Sequence, residues 1–307
     1  MLTSLPMIRI AVCGTGFWAE EVHLPVYAAH ERFEVVGVQG RNLERARELA
    51  AKFGGQAFDS FDEMLASVDA VSFALPPEIQ ARLSTQAAAA GKALMLEKPM
   101  ATSLAEAQAL VDAVKKAGVG AMVYLPRLYS DPIRGLIRQA AEAGVTEGSA
   151  SFRSSALLAG SPYADSVWRQ GAFGALWDIG PHVLSVLCSV FGPVRTVSAS
   201  NPQPSKFECV FEHDRGRSTA SLNLRDAEVE GLHEQYSFWG PAGRIDSSDL
   251  KQDRLAFFNS AVGRFAECFD NRRSDLGFAH EMVAVLDAAR RSVQTGNPEA
   301  VILQGGE

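Results

Sequence analysis

Short apolar runs separated by helical stretches carry the chain to about residue 125. MIRIAVC (7–13), FEVVGVQ (33–39), AVSFAL (70–75), ALMLE (93–97) and VGAMVY (119–124) read as strands. Between them, LERARELAAKF (43–53) and SLAEAQALVDAVKKAG (103–118) repeat apolar residues at helical spacing and keep charges for the surface. Gly118 stands where a helix C-cap is expected. Strands that alternate with helices imply right-handed βαβ crossovers and a parallel sheet.

The pattern changes after about residue 145. SASFRSS, RTVSASN, FECVFEH, RSTASLNL and HEQYSFWG alternate polar and apolar positions, and turn residues separate several of them, HDRG at 213–216 and GPAG at 240–243. That is the pattern of an antiparallel sheet with one solvated face. Two long helical patterns follow, 253–270 and 277–296. A nucleotide-type α/β domain over residues 1–123 and an α+β domain over 124–307 are therefore expected, divided where YLPRLYSDP interrupts the pattern with two prolines.

Composition narrows the function. With 307 residues, 47% of them hydrophobic and 21% charged, there is ample material for globular cores. A formal charge of −7 gives no basic footprint for nucleic acid and argues against an anionic membrane surface as partner. Cys13, Cys188, Cys209 and Cys268 are too scattered for a metal site or a disulfide framework, so reduced thiols and no metal are expected. No window is expected to reach the ~18 apolar residues of a membrane span. MLTSLPMIRIAVCG has neither a charged start nor a cleavage-site pattern, and a cytoplasmic protein is expected.

The first strand runs into Cys13-Gly14-Thr15-Gly16-Phe17-Trp18-Ala19, a GxGxxA turn. Gly14 allows the tight bend, Gly16 lets the backbone approach a pyrophosphate, and Ala19 lets the following helix pack close to the strand. With a strand before it and a helix after, a bound dinucleotide is expected. An acid at the end of the second strand would hold the ribose 2′-hydroxyl. Here Gln39-Gly40-Arg41-Asn42 stands instead, with no acid before Glu44. Arg41 suits a 2′-phosphate, which favours NADP(H) over NAD(H). Phe17, Trp18, Asn42, Leu75 and Pro76 complete the expected cofactor contacts, together with Glu97 and Lys98.

ALMLEKPM puts Glu97 and Lys98 at the carboxyl end of the fifth strand, where open parallel sheets bind ligands. Lys98 there either holds a substrate oxygen or ends the strand in a surface pair with Glu97. Further on, GALWDIGPHVL (174–184) places Asp178 four residues before His182. These two are either a proton-transfer pair or a helix N-cap and a satisfied core histidine.

GxGxxA after the first strand, EKP after the fifth, and Trp168-Arg169 followed by G-A-L-x-D-x-G-x-H together resemble the glucose–fructose oxidoreductase / inositol dehydrogenase (Gfo/Idh/MocA) family over nearly the whole chain. The resemblance implies a Rossmann domain followed by a domain with a large, mostly antiparallel open sheet. It implies an NAD(P)-dependent dehydrogenase or reductase acting on CH–OH groups of a sugar, cyclitol or related polyol. It gives His182 the hydroxyl proton, Asp178 the imidazole or the substrate, and Lys98 the reacting oxygen. Tyr124, Arg127, Arg169 and Trp177 are the expected substrate neighbours. A homodimer or homotetramer through the second sheet is expected by the same analogy.

The chain departs from the family in three places: Ser185 stands where an acid often follows the histidine, Gln80 where a histidine is usual, and the acid of the second strand is missing. It is also somewhat short. Two rival readings are a cofactor-binding sugar sensor that does no chemistry and an imine or double-bond reductase.

Overall fold

The computed structural model describes residues 6–247, 250 and 253–303. The first five residues, part of the stretch in which no leader is expected, lie outside the described residues. In chain order the elements are β1 (Ile8–Cys13), a π-helical turn (Ala19–His23), α1 (Leu24–Ala29), β2 (Phe33–Gln39), α2 (Leu43–Phe53), β3 (Gln56–Phe58), α3 (Phe61–Ser67), β4 (Ala70–Phe73), α4 (Pro77–Ala89), β5 (Ala93–Leu96), α5 (Leu104–Ala117) and β6 (Ala121–Val123). Then come α6 (Asp131–Glu142), β7 (Glu147–Ser154), α7 (Val167–Gln170), α8 (Gly174–Phe191), β8 (Val194–Gln203), β9 (Lys206–His213), β10 (Gly216–Asn223), β11 (Leu232–Gly240) and β12 (Gly243–Asp246). The described chain closes with α9 (Arg254–Asp270), β13 (Ser274–Asp275), α10 (Gly277–Thr295) and β14 (Glu299–Ala300).

The chain folds as two compact units. The first takes residues up to Ala101, Ala105–Tyr124 and Asp253–His280. Its sheet runs β13-β6-β5-β4-β1-β2-β3 with every neighbouring pair parallel. The order reverses between β1 and β4, the switch point at which such sheets open a crevice beyond their carboxyl ends. Every residue of β4, β5 and β6 is buried, as strands covered on both faces must be. These strands stop short of the apolar runs, so Leu75, Pro76, Glu97 and Tyr124 all fall in the connections beyond them. β3 and β13, of three and two residues, are too short to show a period and go undetected in the sequence.

The division expected at residue 123 needs correction for Asp253–His280, which belongs to the first unit. Phe258 of α9 lies against His23, Tyr27 and Tyr124, and Phe265 stacks on Phe33 at 6.0 Å. β13 then pairs with β6. An amphipathic helix carries no label saying which sheet it covers, so its sequence pattern could not place it.

The second unit holds a sheet of order β12-β11-β7-β10-β9-β8-β14. Only β7 and β10 pair in parallel; the other neighbours are antiparallel. Asp214-Arg215 and Pro241-Ala242 form the hairpin turns marked by HDRG and GPAG. Along β7, Gly148, Ala150, Phe152 and Ser154 are buried while the residues between them are partly open. α8 lies against β7, β9 and β10. It is, among the described residues, the one helix long and apolar enough to cross a membrane, at mean hydropathy 1.3, which corrects the expectation that no window would qualify. Its residues are 94% buried within the protein, so the apolar length serves the core of the second unit.

Candidate active site

The first unit builds a dinucleotide cradle at the switch point. Gly14 has φ +134°, and a Cβ there would lie 2.3 Å from the Ala74 carbonyl oxygen at the end of β4. Only glycine permits that bend and that approach. Gly16 is exposed, and a Cβ on it would meet nothing within 4 Å, so the side where a pyrophosphate would approach is open. Ala19 is fully buried under the helix. Phe17 and Trp18 meet edge to face at 5.8 Å, and the Arg254 guanidinium lies 5.7 Å from both rings.

The end of β2 is arranged without an acid. Gln39 turns its side chain inward, where Oε1 accepts from the Cys13 thiol at 3.2 Å. Burial pushes that thiol's pKa up to about 12. A Cβ on Gly40 would lie 2.6 Å from Thr15 Cγ2, so Gly40 admits the glycine turn. Asn42 caps α2, its Oδ1 accepting from the Arg45 N–H at 3.1 Å. The nearby acids are taken: Glu44 pairs with Arg47, Glu48 with Arg45, and Glu20 with Arg45 and Lys52. Arg41 is exposed. These residues fit a nicotinamide dinucleotide.

Lys98 sits half-buried just past β5, in a turn held from several directions. Gln80, fully buried on α4, accepts from the Glu97 N–H at 2.9 Å and donates to the Glu97 and Pro99 carbonyls at 2.7 and 3.2 Å. The departure from the family's histidine is thus a clamp on the Glu97–Pro99 backbone. The Lys98–Pro99 bond is cis. Glu97, expected among the cofactor contacts, turns its carboxylate inward instead: Oε2 accepts from the Lys98 N–H at 3.3 Å, and Oε1 lies 3.2 Å from His23 Nε2. Tyr124, expected near the substrate, is 1% exposed, its ring edge-on to Phe258 at 5.0 Å in the core.

The second unit presents the other motif on α8, which begins at Gly174. Asp178 is therefore inside the helix and caps nothing, and Pro181 lies in its interior. Positions 178 and 182 share a face, one turn apart. Asp178 binds Arg169, which donates from Nε to Oδ2 at 2.8 Å and from a terminal nitrogen to Oδ1 at 3.4 Å. The guanidinium lies over Trp168 at 4.3 Å and Tyr163 at 4.6 Å. Arg169, expected beside the substrate, thus orients Asp178. His182 stacks on Phe152 at 5.7 Å with planes 9° apart. Arg127 is engaged internally, in a two-point pair with Glu234 at 2.9 and 2.8 Å, and lies 5.6 Å from the Phe152 ring. Trp177 is 6% exposed within α8. Both residues, expected beside the substrate, are buried.

Three groups escaped sequence reasoning: His23, Ser72 and Glu234. His23 stands in a His-Leu-Pro stretch with its acid 74 residues away, so no local spacing marks it.

A model of the oxidoreductase family with NAD-binding Rossmann fold (Gfo/Idh/MocA) matches residues 8–125. The match covers less than half of the chain. A curated relative, an uncharacterized oxidoreductase of Rhizobium meliloti, is 35% identical over 117 residues, 37% of this chain and 35% of that one. The scyllo-inositol 2-dehydrogenase (NADP+) of Bacillus subtilis is 29% identical over 252 residues, covering 73% and 74%. The matched part spans 35% of the length of the Rhizobium protein and 55% of a further oxidoreductase from Synechocystis. Among solved structures, GenD2 from gentamicin A biosynthesis in complex with NAD shares the fold at TM-score 0.86 and 22% identity, over 98% of each chain. The Gfo/Idh/MocA resemblance and the two fold classes expected from sequence agree with these findings.

Proposed function

We propose that the protein is an NAD(P)-dependent oxidoreductase that moves a hydride between nicotinamide and a sugar, cyclitol or related polyol, with NADP(H) preferred. The observation that carries the reading is Lys98, presented at the carboxyl end of β5 in a turn whose backbone Gln80 and Glu97 both hold. A lysine fixed beside the switch point of a dinucleotide sheet is placed for chemistry next to that ligand.

When bound, the cofactor accepts or gives the hydride, and the chain supplies binding and proton transfer. Gly14, Gly16 and Ala19 admit the pyrophosphate, and Arg41 pairs with a 2′-phosphate. The Lys98 ammonium binds the reacting oxygen and favours negative charge as it develops there. His182 takes the hydroxyl proton in oxidation and returns it in reduction. Asp178, oriented by Arg169, hydrogen-bonds the substrate or the imidazole. The relatives support this class: the Bacillus subtilis protein is named for scyllo-inositol and NADP+, and GenD2 was solved with NAD.

A sensor without chemistry would keep the cradle but would have no use for a clamped lysine. A sugar and cyclitol panel followed by NADPH fluorescence tests the point. Turnover in the wild type, lost in Lys98→Ala and His182→Ala with NADPH affinity kept, is the expected result. Binding without turnover by any polyol refutes the enzymatic reading. Turnover of unsaturated or imine substrates, with every ketone and polyol inert, refutes the substrate class. The same reading places the protein in the cytoplasm, in keeping with four unpaired cysteines, and joins copies as a dimer or tetramer through the open face carrying Ser149, Ser151 and Thr219. Light scattering reports that pairing.

A further inference from the structure

We propose that His23, seated on Ser72, is a positioning residue for Lys98 and acts through the Glu97 carboxylate. The inference rests on the reading of Lys98 as a reacting group, and deepens it.

His23 lies in the helix after the glycine turn. Pro25 has no N–H to give the Glu21 carbonyl, so a regular α-turn cannot form there. The chain widens into the π-helical turn Ala19–His23, in which the Leu24 N–H reaches the Ala19 carbonyl. The added residue rotates the register, and His23 faces inward, fully buried. Single π-turns of this kind cluster at functional sites.

Both ring nitrogens of His23 then find partners on other elements. Nδ1 lies 2.9 Å from Ser72 Oγ on β4, and Nε2 lies 3.2 Å from Glu97 Oε1. The ring stacks on Phe258 with centroids 4.3 Å apart and planes 28° apart, which fixes its tilt. Ser72 is itself fully buried. A hydroxyl that donates to Nδ1 leaves the proton on Nε2, and that N–H donates to the carboxylate. Glu97 passes the constraint on: its other oxygen accepts from the Lys98 N–H at 3.3 Å. The carboxylate therefore bridges His23 and the backbone of the lysine it precedes. Gln80 fixes the backbone of the same turn from α4, through the Glu97 N–H and the Glu97 and Pro99 carbonyls. Without His23, the Glu97 side chain keeps only its bond to the Lys98 N–H, and the turn loses its link to β4.

Any core histidine needs partners on both nitrogens; what sets His23 apart is that one of its partners is the carboxylate that also holds the Lys98 N–H. Arranged as they are, the three groups fix the direction in which Lys98 leaves the strand. A misplacement of about 1 Å at such a group costs on the order of a hundredfold in rate.

The experiment compares the wild-type full chain with His23→Leu, His23→Gln, Ser72→Ala, Glu97→Gln and His23→Leu/Glu97→Gln. Three quantities are read: NADPH affinity by fluorescence, kcat and KM on the polyol found by the panel, and acetylation of Lys98 relative to Lys115 by mass spectrometry. His23→Leu is expected to lower kcat by at least about tenfold, with NADPH affinity and KM within about twofold. Lys98 acetylation is expected to change by about threefold or more while Lys115 stays constant. His23→Gln, whose amide still donates to Glu97, restores most of kcat. The double variant is no worse than the poorer single one, because both cut the same link.

Unchanged kcat and unchanged Lys98 labelling in folded His23→Leu overturn the proposal, as does a kcat loss matched by an equal loss of NADPH affinity. If His23→Leu does not fold, Ser72→Ala decides: the ring stays but loses its Nδ1 partner, and a kcat and a labelling pattern like those of the wild type overturn the proposal. Labelling separates the two readings. A change at Lys98 in a protein that turns over no polyol supports the positioning role and refutes the enzymatic one. Turnover abolished by Lys98→Ala but indifferent to His23→Leu does the reverse.

Discussion

Replacing Arg127 by methionine tests how the second unit is held together. The Arg127 and Glu234 side chains are 4% and 2% exposed, and Tyr236, also buried, donates to Glu234 Oε1 at 2.5 Å. Methionine removes both guanidinium bonds but keeps much of the volume. The carboxylate is then left in the core with one hydroxyl for company. Breaking one side of a buried pair costs about 3–5 kcal/mol, because the remaining charge has lost both water and partner. For a unit of this size each kcal/mol moves the midpoint by about 2–4 °C, so Arg127→Met should melt roughly 6–20 °C lower by circular dichroism. Arg127→Met/Glu234→Leu removes the stranded charge as well, and pairs replaced this way often come out near neutral. Its midpoint should recover most of the loss. A single variant within about 1 °C of wild type, or a double variant that melts lower than the single, would refute the buried-charge argument.

Gly14→Ala meets the Ala74 carbonyl at 2.3 Å and should lower the melting midpoint, whereas Gly16→Val should leave it nearly unchanged yet weaken NADPH binding by more than about tenfold. Equal effects of the two on stability would contradict the cradle geometry. Arg41→Ala should weaken NADPH by about tenfold and NADH by less than about twofold in the same titration, as loss of one phosphate pair predicts; equal losses would remove Arg41 from the 2′-phosphate. Burial holds the pKa values of His213 and His280 below the ordinary histidine value. The unfolded chain therefore binds protons that the folded one refuses: stability is full above about pH 6.5 and falls as pH drops below it, toward the folded values. Urea titrations across that range should show the loss, and a smaller slope in His213→Asn; a flat profile would contradict it. Burial also pushes Cys188 and Cys209 up to about 12, like Cys13, so all three should resist a thiol reagent until denaturant is added.

Much of this was legible in the sequence because local physics governs it. The glycine turn is a backbone requirement, so its residues name it wherever they occur after a strand. Buried parallel strands announce themselves as apolar runs, and the half-open second sheet shows its period of two. EKP and the Asp–His spacing are contiguous and could be read as they stand. What escaped depended on partners far away along the chain. His23 is brought inward by a π-turn that breaks the helical period, and its acid lies 74 residues on. Arg127 meets Glu234 across 107 residues, and Tyr124 is claimed by Phe258 from a helix the sequence assigned to the other domain. Spacing puts Asp178 on one helix face with His182, and the fold adds Arg169 to it from the preceding helix. Spacing fixes which side chains share a face of one element. Which group arrives from another element is set by packing, and packing alone decided that the lysine's neighbours here are a clamping glutamine, an inward glutamate and a buried histidine.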